Sequence, residues 1–253
     1  MSGHSKWATI KRSKAANDAK RGQVFTKLGH EIMIAVRKGG ADPDSNFSLR
    51  LILDKARRSN MPKDNIERAI KRGSGDLGDG VELNEYMYEG YGPHGTAIMV
   101  QTLTDNKNRT VSDVRHCFSR YGGNLGADGC VAWMFSRKGY LAINPGDNDP
   151  EEVALEAIDA GAEDVEIGDE MVEVYTQVED FRAVREALSA ASYEVIEERI
   201  EWIPQSNQTL AEKQTLQTMK LLEALEEMDD VQEVSSNLDI ADDLIAKYES
   251  EAA

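Results

Sequence analysis

The strongest constraint on this chain is the uneven distribution of its charge. Residues 1–75 hold 17 Lys and Arg against 7 Asp and Glu, a net charge of +10, whereas the whole chain carries −17. The remaining residues, 76–253, therefore carry −27. A basic module joined to an acidic body indicates that the basic end binds a polyanion while the rest faces water or another partner. The alternative interpretation is a helical domain whose basic side chains are only solvated.

Composition narrows the class of protein. With 253 residues, 40% apolar and 30% charged, the chain is typical of a soluble globular protein of one to three domains. It has no apolar run of membrane-spanning length and no apolar signal core near its start, so we expect a cytoplasmic protein with no membrane partner. The two cysteines, Cys117 and Cys130, are expected to be reduced and buried.

Hydrophobic periodicity predicts three helices in the basic region. The first is expected over residues 18–38, where apolar residues recur at helical spacing before Gly39 and Gly40 end it. A second helix is expected over 45–59, and a third begins at Pro62 and ends at Gly73. Residues 1–15 lack apolar periodicity, which favours a weakly ordered basic arm.

A single tryptophan, Trp7, lies within this arm among Lys6, Lys11, Arg12 and Lys14. An aromatic ring between cations is suited to stack on a base or sugar while the cations contact phosphates. The alternative is that Trp7 packs on the helices as an anchor.

The segment at residues 90–95 matches the dinucleotide-binding pattern G-x-G-x-x-G. Such a site requires a helix directly after the glycines, and residues 96–104 are instead a β-type run. We therefore interpret the segment as a turn between two strands. The nearby Tyr86, Tyr88 and Tyr91 are suited either to stacking on bases or to packing within the hairpin.

The remaining chain predicts two α/β domains. A helix is expected to begin near Asp105 and Asn106 and to end at Gly122, and a strand is expected over 130–135 after a glycine-rich loop. Residues 139–203 show the order βαββαβ of a ferredoxin-like unit, with 3 basic and 19 acidic residues. A capping box at residues 209–212 predicts one more helix, and a strand follows it at 231–234.

The block at residues 84–136 lacks a second helix and a last strand, which residues 209–236 can supply. We therefore predict an α+β fold with a basic N-terminal three-helix domain and two α/β domains, one of them a ferredoxin-like unit inserted into the other. The expected domains are 1–77, which includes the arm, then 78–138 together with 204–240, then 139–203, followed by an acidic tail over 241–253.

No set of residues converges on a catalytic site. The four histidines show no metal-binding spacing, and His116 and Cys117 are adjacent on a helix, so they point to different faces. Phosphate-binding loops and nucleophile elbows are also missing. Acidic pairs such as Glu151-Glu152 are more simply solvated than metal-binding. We expect a protein that is not an enzyme and uses no cofactor, metal or small-molecule substrate.

Several long and unusual motifs resemble one family, YebC/PmpR. They occur in this order: Gly3-His4-Ser5-Lys6-Trp7, Lys14-Ala15-Ala16, Asp18-Ala19-Lys20-Arg21-Gly22, Phe25-Thr26-Lys27, Tyr88-Glu89-Gly90-Tyr91-Gly92-Pro93, Asp105-Asn106-Lys107-Asn108-Arg109-Thr110 and Gly122-Gly123-Asn124-Leu125-Gly126. The resemblance implies a three-domain fold. It also implies one of two functions, because many members are described as DNA-binding transcriptional regulators. Others, including the mitochondrial translational activator of cytochrome c oxidase subunit one, resemble ribosome-associated factors that help stalled translation to proceed.

We interpret the chain as a monomeric, non-enzymatic nucleic-acid-binding regulator of gene expression. Its partner is DNA or ribosomal RNA, including the ribosome itself. An alternative from a different class is a protein-binding adaptor that works through its acidic domains. The candidate nucleic-acid-binding residues are Lys6, Trp7, Lys11, Arg12, Lys14, Lys20, Arg21, Lys27, Lys107 and Arg109.

Overall fold

The computed structural model describes residues 18–76, 83–168, 171–241, 244–245 and 247–248, and it describes side chains in the first helix from Arg21 onward. The predicted α+β class is confirmed, because a helical region is followed by two antiparallel four-stranded sheets that carry helices. None of the helices in these ranges is both long enough and apolar enough to cross a membrane.

Three helices form the N-terminal part: α1 (Asp18–Gly39), α2 (Phe47–Arg58) and α3 (Lys63–Gly73). Their apolar faces share one core, which includes Leu28, Ile32 and Leu49. Helix α3 packs so closely on α1 that a Cβ placed at Gly73 would lie 2.8 Å from the Met33 carbonyl oxygen. Glycine is therefore required at that crossing for steric reasons.

A second unit is built on the strands β1 (Asn84–Tyr91), β2 (Ala97–Thr104), β3 (Asn124–Leu125) and β9 (Val231–Ser236). They form an antiparallel sheet in the order β3-β1-β2-β9. Helices α4 (Lys107–Arg120) and α7 (Glu212–Glu226) contribute Phe118 and Leu222 to the apolar core of this central unit. Leu244 and Tyr248, from the segment expected to be a tail, are also buried in this core.

A third unit lies between these elements in the chain. It contains β4 (Phe135–Asn144), α5 (Pro150–Asp159), β5 (Asp164–Ile167), β6 (Val172–Thr176), α6 (Phe181–Ala190) and β7 (Glu194–Pro204). Its sheet order is β5-β6-β4-β7 and every neighbouring pair is antiparallel, as in ferredoxin-like folds. Two short strands, β8 (Gln208–Thr209) and β10 (Leu238–Asp239), pair in parallel near the end of the chain.

Some local predictions were wrong. Residues 130–135 do not form a strand, because a short 3₁₀ turn occupies Ala132–Met134 and β4 begins only at Phe135. Both cysteines are free thiols, but Cys130 is half-buried and not buried as expected. Thr209 does not cap a helix, because it pairs within β8, and α7 instead begins after Ala211, whose N–H donates to Gln214 Oε1 at 3.3 Å.

The glycine segment at residues 90–95 connects β1 to β2 as an antiparallel hairpin. The Gly92 N–H donates to the Thr96 carbonyl oxygen at 2.7 Å, and His94 and Gly95 take positive φ angles of 67° and 83°. No helix begins after these glycines, so the geometry that a dinucleotide pyrophosphate needs is not formed here. Tyr88 is buried in the core of the central unit, whereas Tyr91 is partly exposed.

Candidate nucleic-acid interface

Half of the candidate residues belong to the arm and lie outside the described residues, namely Lys6, Trp7, Lys11, Arg12 and Lys14. The side chain of Lys20 is also outside the described set. Arg21 is exposed one turn into α1, at the end of the helix where the arm joins it. Phosphate binding by the arm is therefore inferred from the basic residues of its sequence.

Lys27 has a contact within the protein. Its Nζ donates to the carbonyl oxygen of Glu226, in the last turn of α7, and Gln23 Nε2 donates to the next carbonyl, that of Glu227, at 3.2 Å. The C-terminus of a helix carries partial negative charge, so a lysine there is favourable. Lys27 thus contributes to seating α1 on the central unit.

Other cations of the helical part also dock it on its neighbours. Arg58 forms an ion pair of 2.6 Å with Glu198 of β7, whose side chain is only 4% exposed, and Arg185 of α6 reaches the same carboxylate at 2.8 Å. Arg37 donates to the carbonyl oxygen of Leu83 at 3.0 Å. Part of the charge asymmetry seen in the sequence therefore holds the basic and acidic units together.

Lys107 and Arg109 are positioned by the start of α4. Asn106 caps this helix by accepting from the Arg109 N–H at 3.1 Å, and Lys107 is exposed with its Nζ 4.8 Å from the centre of the Tyr86 ring. The Arg109 guanidinium contacts Asp105 at 2.9 Å and Asp230 at 3.0 Å. Lys107 thus presents its charge to solvent, whereas two carboxylates offset that of Arg109.

Asp230 is the centre of a small polar network. It accepts from Thr110 Oγ1 at 2.6 Å, from Thr104 Oγ1 at 3.2 Å and from Arg109. Burial raises its pKa, but the hydrogen bonds from Thr110 and Arg109 and the charge of Arg109 outweigh this, so the pKa of Asp230 lies below its ordinary value. Asp230 in turn raises the pKa of Arg109, first through its hydrogen bond and then through its charge. Arg109 is therefore a structural residue that ties α4 to Asp230, directly before β9.

The exposed side of α4 carries further basic side chains that are not among the candidate residues selected from the sequence. Arg115, His116 and Arg120 are exposed along it, and Asp113 is the acidic side chain among them. The signal that could have revealed them is the excess of basic over acidic residues at the solvent-facing positions of this helix. Together with Lys107, they form what we call the α4 basic face.

The glycine-rich loop after α4 is held by one buried carboxylate. Glu89, which is 7% exposed, accepts from the N–H groups of Gly129 at 2.7 Å, Val131 at 2.8 Å and Ala132 at 2.7 Å. Its own carbonyl oxygen accepts from the Gly126 N–H at 2.8 Å. These bonds occupy the N–H groups of residues 131 and 132, which explains why they do not pair as a strand.

His30 is half-buried where α1 meets the central unit. Its Nδ1 has no hydrogen-bond partner among the described residues. Burial lowers the pKa of His30, and the opposing charges of Asp230, Asp105 and Asp229 only partly offset this effect. The neutral imidazole is therefore the form that suits this interface.

We expect the protein to lose stability as the pH falls from about 7.5 to 5.5, through the ordinary pKa range of histidine. Because the pKa of His30 is lower in the folded state, the unfolded chain binds the proton first as pH falls, which favours unfolding. Thermal unfolding of His30→Leu should depend less on pH over this interval. The matched control is His116→Asn at an exposed position, and an equal change in both variants would contradict a role for His30.

Within the described ranges, no three His, Cys, Asp or Glu side chains are grouped as metal ligands.

Comparison with known proteins gives a consistent result along the chain. Residues 5–76 match the family model described as the TACO1/YebC protein N-terminal domain, and residues 83–238 match the one described as the TACO1/YebC second and third domain. A probable transcriptional regulatory protein of Dehalococcoides mccartyi is 51% identical over 252 residues, covering 100% of both chains. A second protein with this description, from Desulfosudis oleivorans, is 51% identical over 242 residues, covering 96% of this chain and 98% of its own.

One solved structure is also similar. It is the crystal structure of a conserved hypothetical protein, Aq1575, from Aquifex aeolicus, with a TM-score of 0.81 and 46% sequence identity. The match covers 89% of this chain and 93% of that one.

Proposed function

Because the chain belongs to the TACO1/YebC family, we propose that it is a non-enzymatic regulator of gene expression that acts by binding nucleic acid. The observation that carries this proposal is the concentration of basic charge in residues 1–75, at +10, within a chain of −17. Relatives that match over the full length are named probable transcriptional regulatory proteins, which supports a regulatory role.

The proposed interface has two parts. The first is the arm with the start of α1, where Lys6, Lys11, Arg12, Lys14, Lys20 and Arg21 contact phosphates and Trp7 stacks on a base or sugar. The second is the α4 basic face, which adds Arg115 and Arg120 to Lys107. Lys27 and Arg109 support these surfaces, because both are engaged in contacts that hold α1 and α4 in place.

The charge distribution favours structured RNA over a long duplex. Residues 139–203 carry −16, and the docking pair of Arg58 and Glu198 places this acidic unit against the helical part. A duplex that wrapped around the protein would meet that negative field, whereas a crevice in folded RNA would meet the basic end alone. We therefore propose ribosomal or other structured RNA as the target, with duplex DNA as the alternative that the relatives' names support.

An adaptor function remains the competing hypothesis from another class. The experiment is ultraviolet crosslinking in cells, followed by identification of the molecules joined to the full-length protein and of the crosslinked peptides. We expect RNA, crosslinked to peptides from residues 1–38 and from α4. Crosslinks to protein alone would support the adaptor, and crosslinks to genomic DNA at defined sites would reverse the preference for RNA.

A further inference from the structure

One large aromatic side chain is left in solvent. Trp133, between the glycine-rich loop and β4, is 70% exposed, more than any other large hydrophobic side chain in the described part of the chain. Tryptophan has a large apolar surface, so a partner that covers this exposed ring would gain a large contribution to binding. The role proposed above for the basic residues does not use this ring.

The exposed ring is held in a defined position. Its Nε1 donates to the carbonyl oxygen of Cys130 at 3.1 Å, and Tyr91 Oη donates to the same oxygen at 3.0 Å. The loop that carries Cys130 is clamped by Glu89 through the N–H groups on either side, at Gly129, Val131 and Ala132. A ring ordered in advance loses little entropy on binding, so this arrangement is suited to recognition rather than to chance exposure.

The surroundings indicate what chemistry the ring can take. Residues 122–134 contain one charged side chain, Asp128, and no basic one, so phosphates are not attracted to the ring itself. The C-terminal end of α4, which carries Arg120, lies beside Tyr91: a Cβ at Gly123, three residues after Arg120, would lie 2.7 Å from the Tyr91 carbonyl oxygen. A neutral π-face beside a basic helix end is the combination used to bind unpaired nucleotides.

We propose that Trp133, flanked by Tyr91, is a stacking platform for one unpaired base of a single-stranded segment, whose phosphates contact Arg120 at the C-terminal end of α4. This inference rests on the proposed function and specifies it. A base within a duplex is stacked on both sides and cannot reach a single ring on an open surface. Trp133 thus selects single-stranded over paired nucleic acid, and its stacking is tolerant of sequence.

The test compares full-length wild type, Trp133→Ala and Trp133→Phe. Each is titrated with labelled single-stranded RNA and DNA of about 12 nucleotides, and with a duplex of the same sequence, over a series of salt concentrations. Stacking on an aromatic side chain contributes about 1–3 kcal/mol per base, so Trp133→Ala should weaken single-strand binding by about 5- to 150-fold. Trp133→Phe keeps a π-face and should lose much less.

Two features distinguish stacking from other effects. The salt dependence should not change in either variant, because no charge is removed, and duplex binding should not change. The matched control is Leu155→Ala, at an exposed large hydrophobic side chain of the acidic unit, which should leave binding of both single strand and duplex unchanged. An equal loss on duplex and single strand, or an unchanged affinity in Trp133→Ala, would overturn the platform and leave the proposed function intact. Wild type that binds no nucleic acid would overturn both.

Discussion

Glu89→Ala is expected to destabilise the protein by about 3–6 kcal/mol, since it leaves three N–H groups of the loop without their acceptor. The carboxylate is 7% exposed and accepts from Gly129, Val131 and Ala132 at 2.7–2.8 Å. Each buried donor that loses its partner costs about 1–3 kcal/mol, and bonds to an ionised acceptor are the stronger ones. The free energy of unfolding from urea titration measures the loss.

The same substitution should release the loop as well as lower the global stability. Hydrogen exchange at the amides of residues 126–132 should become faster in Glu89→Ala, because these amides lose protection locally. Glu89→Gln keeps the size but places amide hydrogens against the same donors, so we expect an intermediate loss. The control is Asp128→Ala, an exposed residue of the same loop, with an expected change within about 0.5 kcal/mol. Similar losses for Glu89→Ala and Asp128→Ala would contradict the clamp.

Periodicity and terminal signals were sufficient to predict the main elements from the sequence. These signals are local patterns, which can be recognised without knowledge of the tertiary structure. They include the apolar spacing along α1, the Asn106 cap and the βαββαβ order of residues 139–203. The motifs also sufficed to infer the family, which the matches over residues 5–76 and 83–238 confirm. The four domain boundaries stay a prediction.

What could not be predicted depends on contacts between distant residues. In the sequence nothing distinguishes Glu89 from other glutamates in strands. Its role as acceptor for the loop N–H groups depends on the fold, in which β1 brings it beside residues 129–132. Arg58 and Glu198 lie 140 positions apart, so composition could not show that some basic residues serve to dock the acidic unit. For the same reason Lys27 was selected as a phosphate contact, although its Nζ is engaged with the end of α7.

Charge reversal at Lys11, Lys14 and Arg21 is expected to lower affinity for nucleic acid by about 100- to 500-fold at 0.1 M salt and to flatten its salt dependence. Each phosphate that a cation neutralises releases condensed counterions, worth about 0.9 log units of affinity per tenfold change in salt on B-DNA and about 0.7 on single strands. If roughly five of the proposed side chains engage phosphates at the same time, the wild-type slope should be about −3.5 to −4.5. The slope of the triple variant should then be shallower by the contribution of about three contacts.

The control for this variant is Lys213→Glu with Lys220→Glu, which removes exposed basic charge from α7, within the acidic part of the chain. This double variant should lower affinity slightly, because it makes the long-range field more negative. The slope of affinity against salt should stay the same, because these lysines contact no phosphate and release no counterions. Salt titrations of wild type and both variants on ribosomes and on duplex DNA measure the two effects separately.

The choice between these targets follows from the same titrations. On a duplex the −27 of residues 76–253 repels any phosphates beyond the basic end, so affinity should be weak and should not improve with duplex length. On ribosomes the phosphates near the basic end can be engaged while the acidic units face away, so wild type should bind more tightly there, and the triple variant should lose most of that advantage. An unchanged slope in the triple variant on both targets would remove the arm from the mechanism. Tighter, site-specific duplex binding would assign the protein to DNA, because only favourable contacts that outweigh this repulsion could produce it.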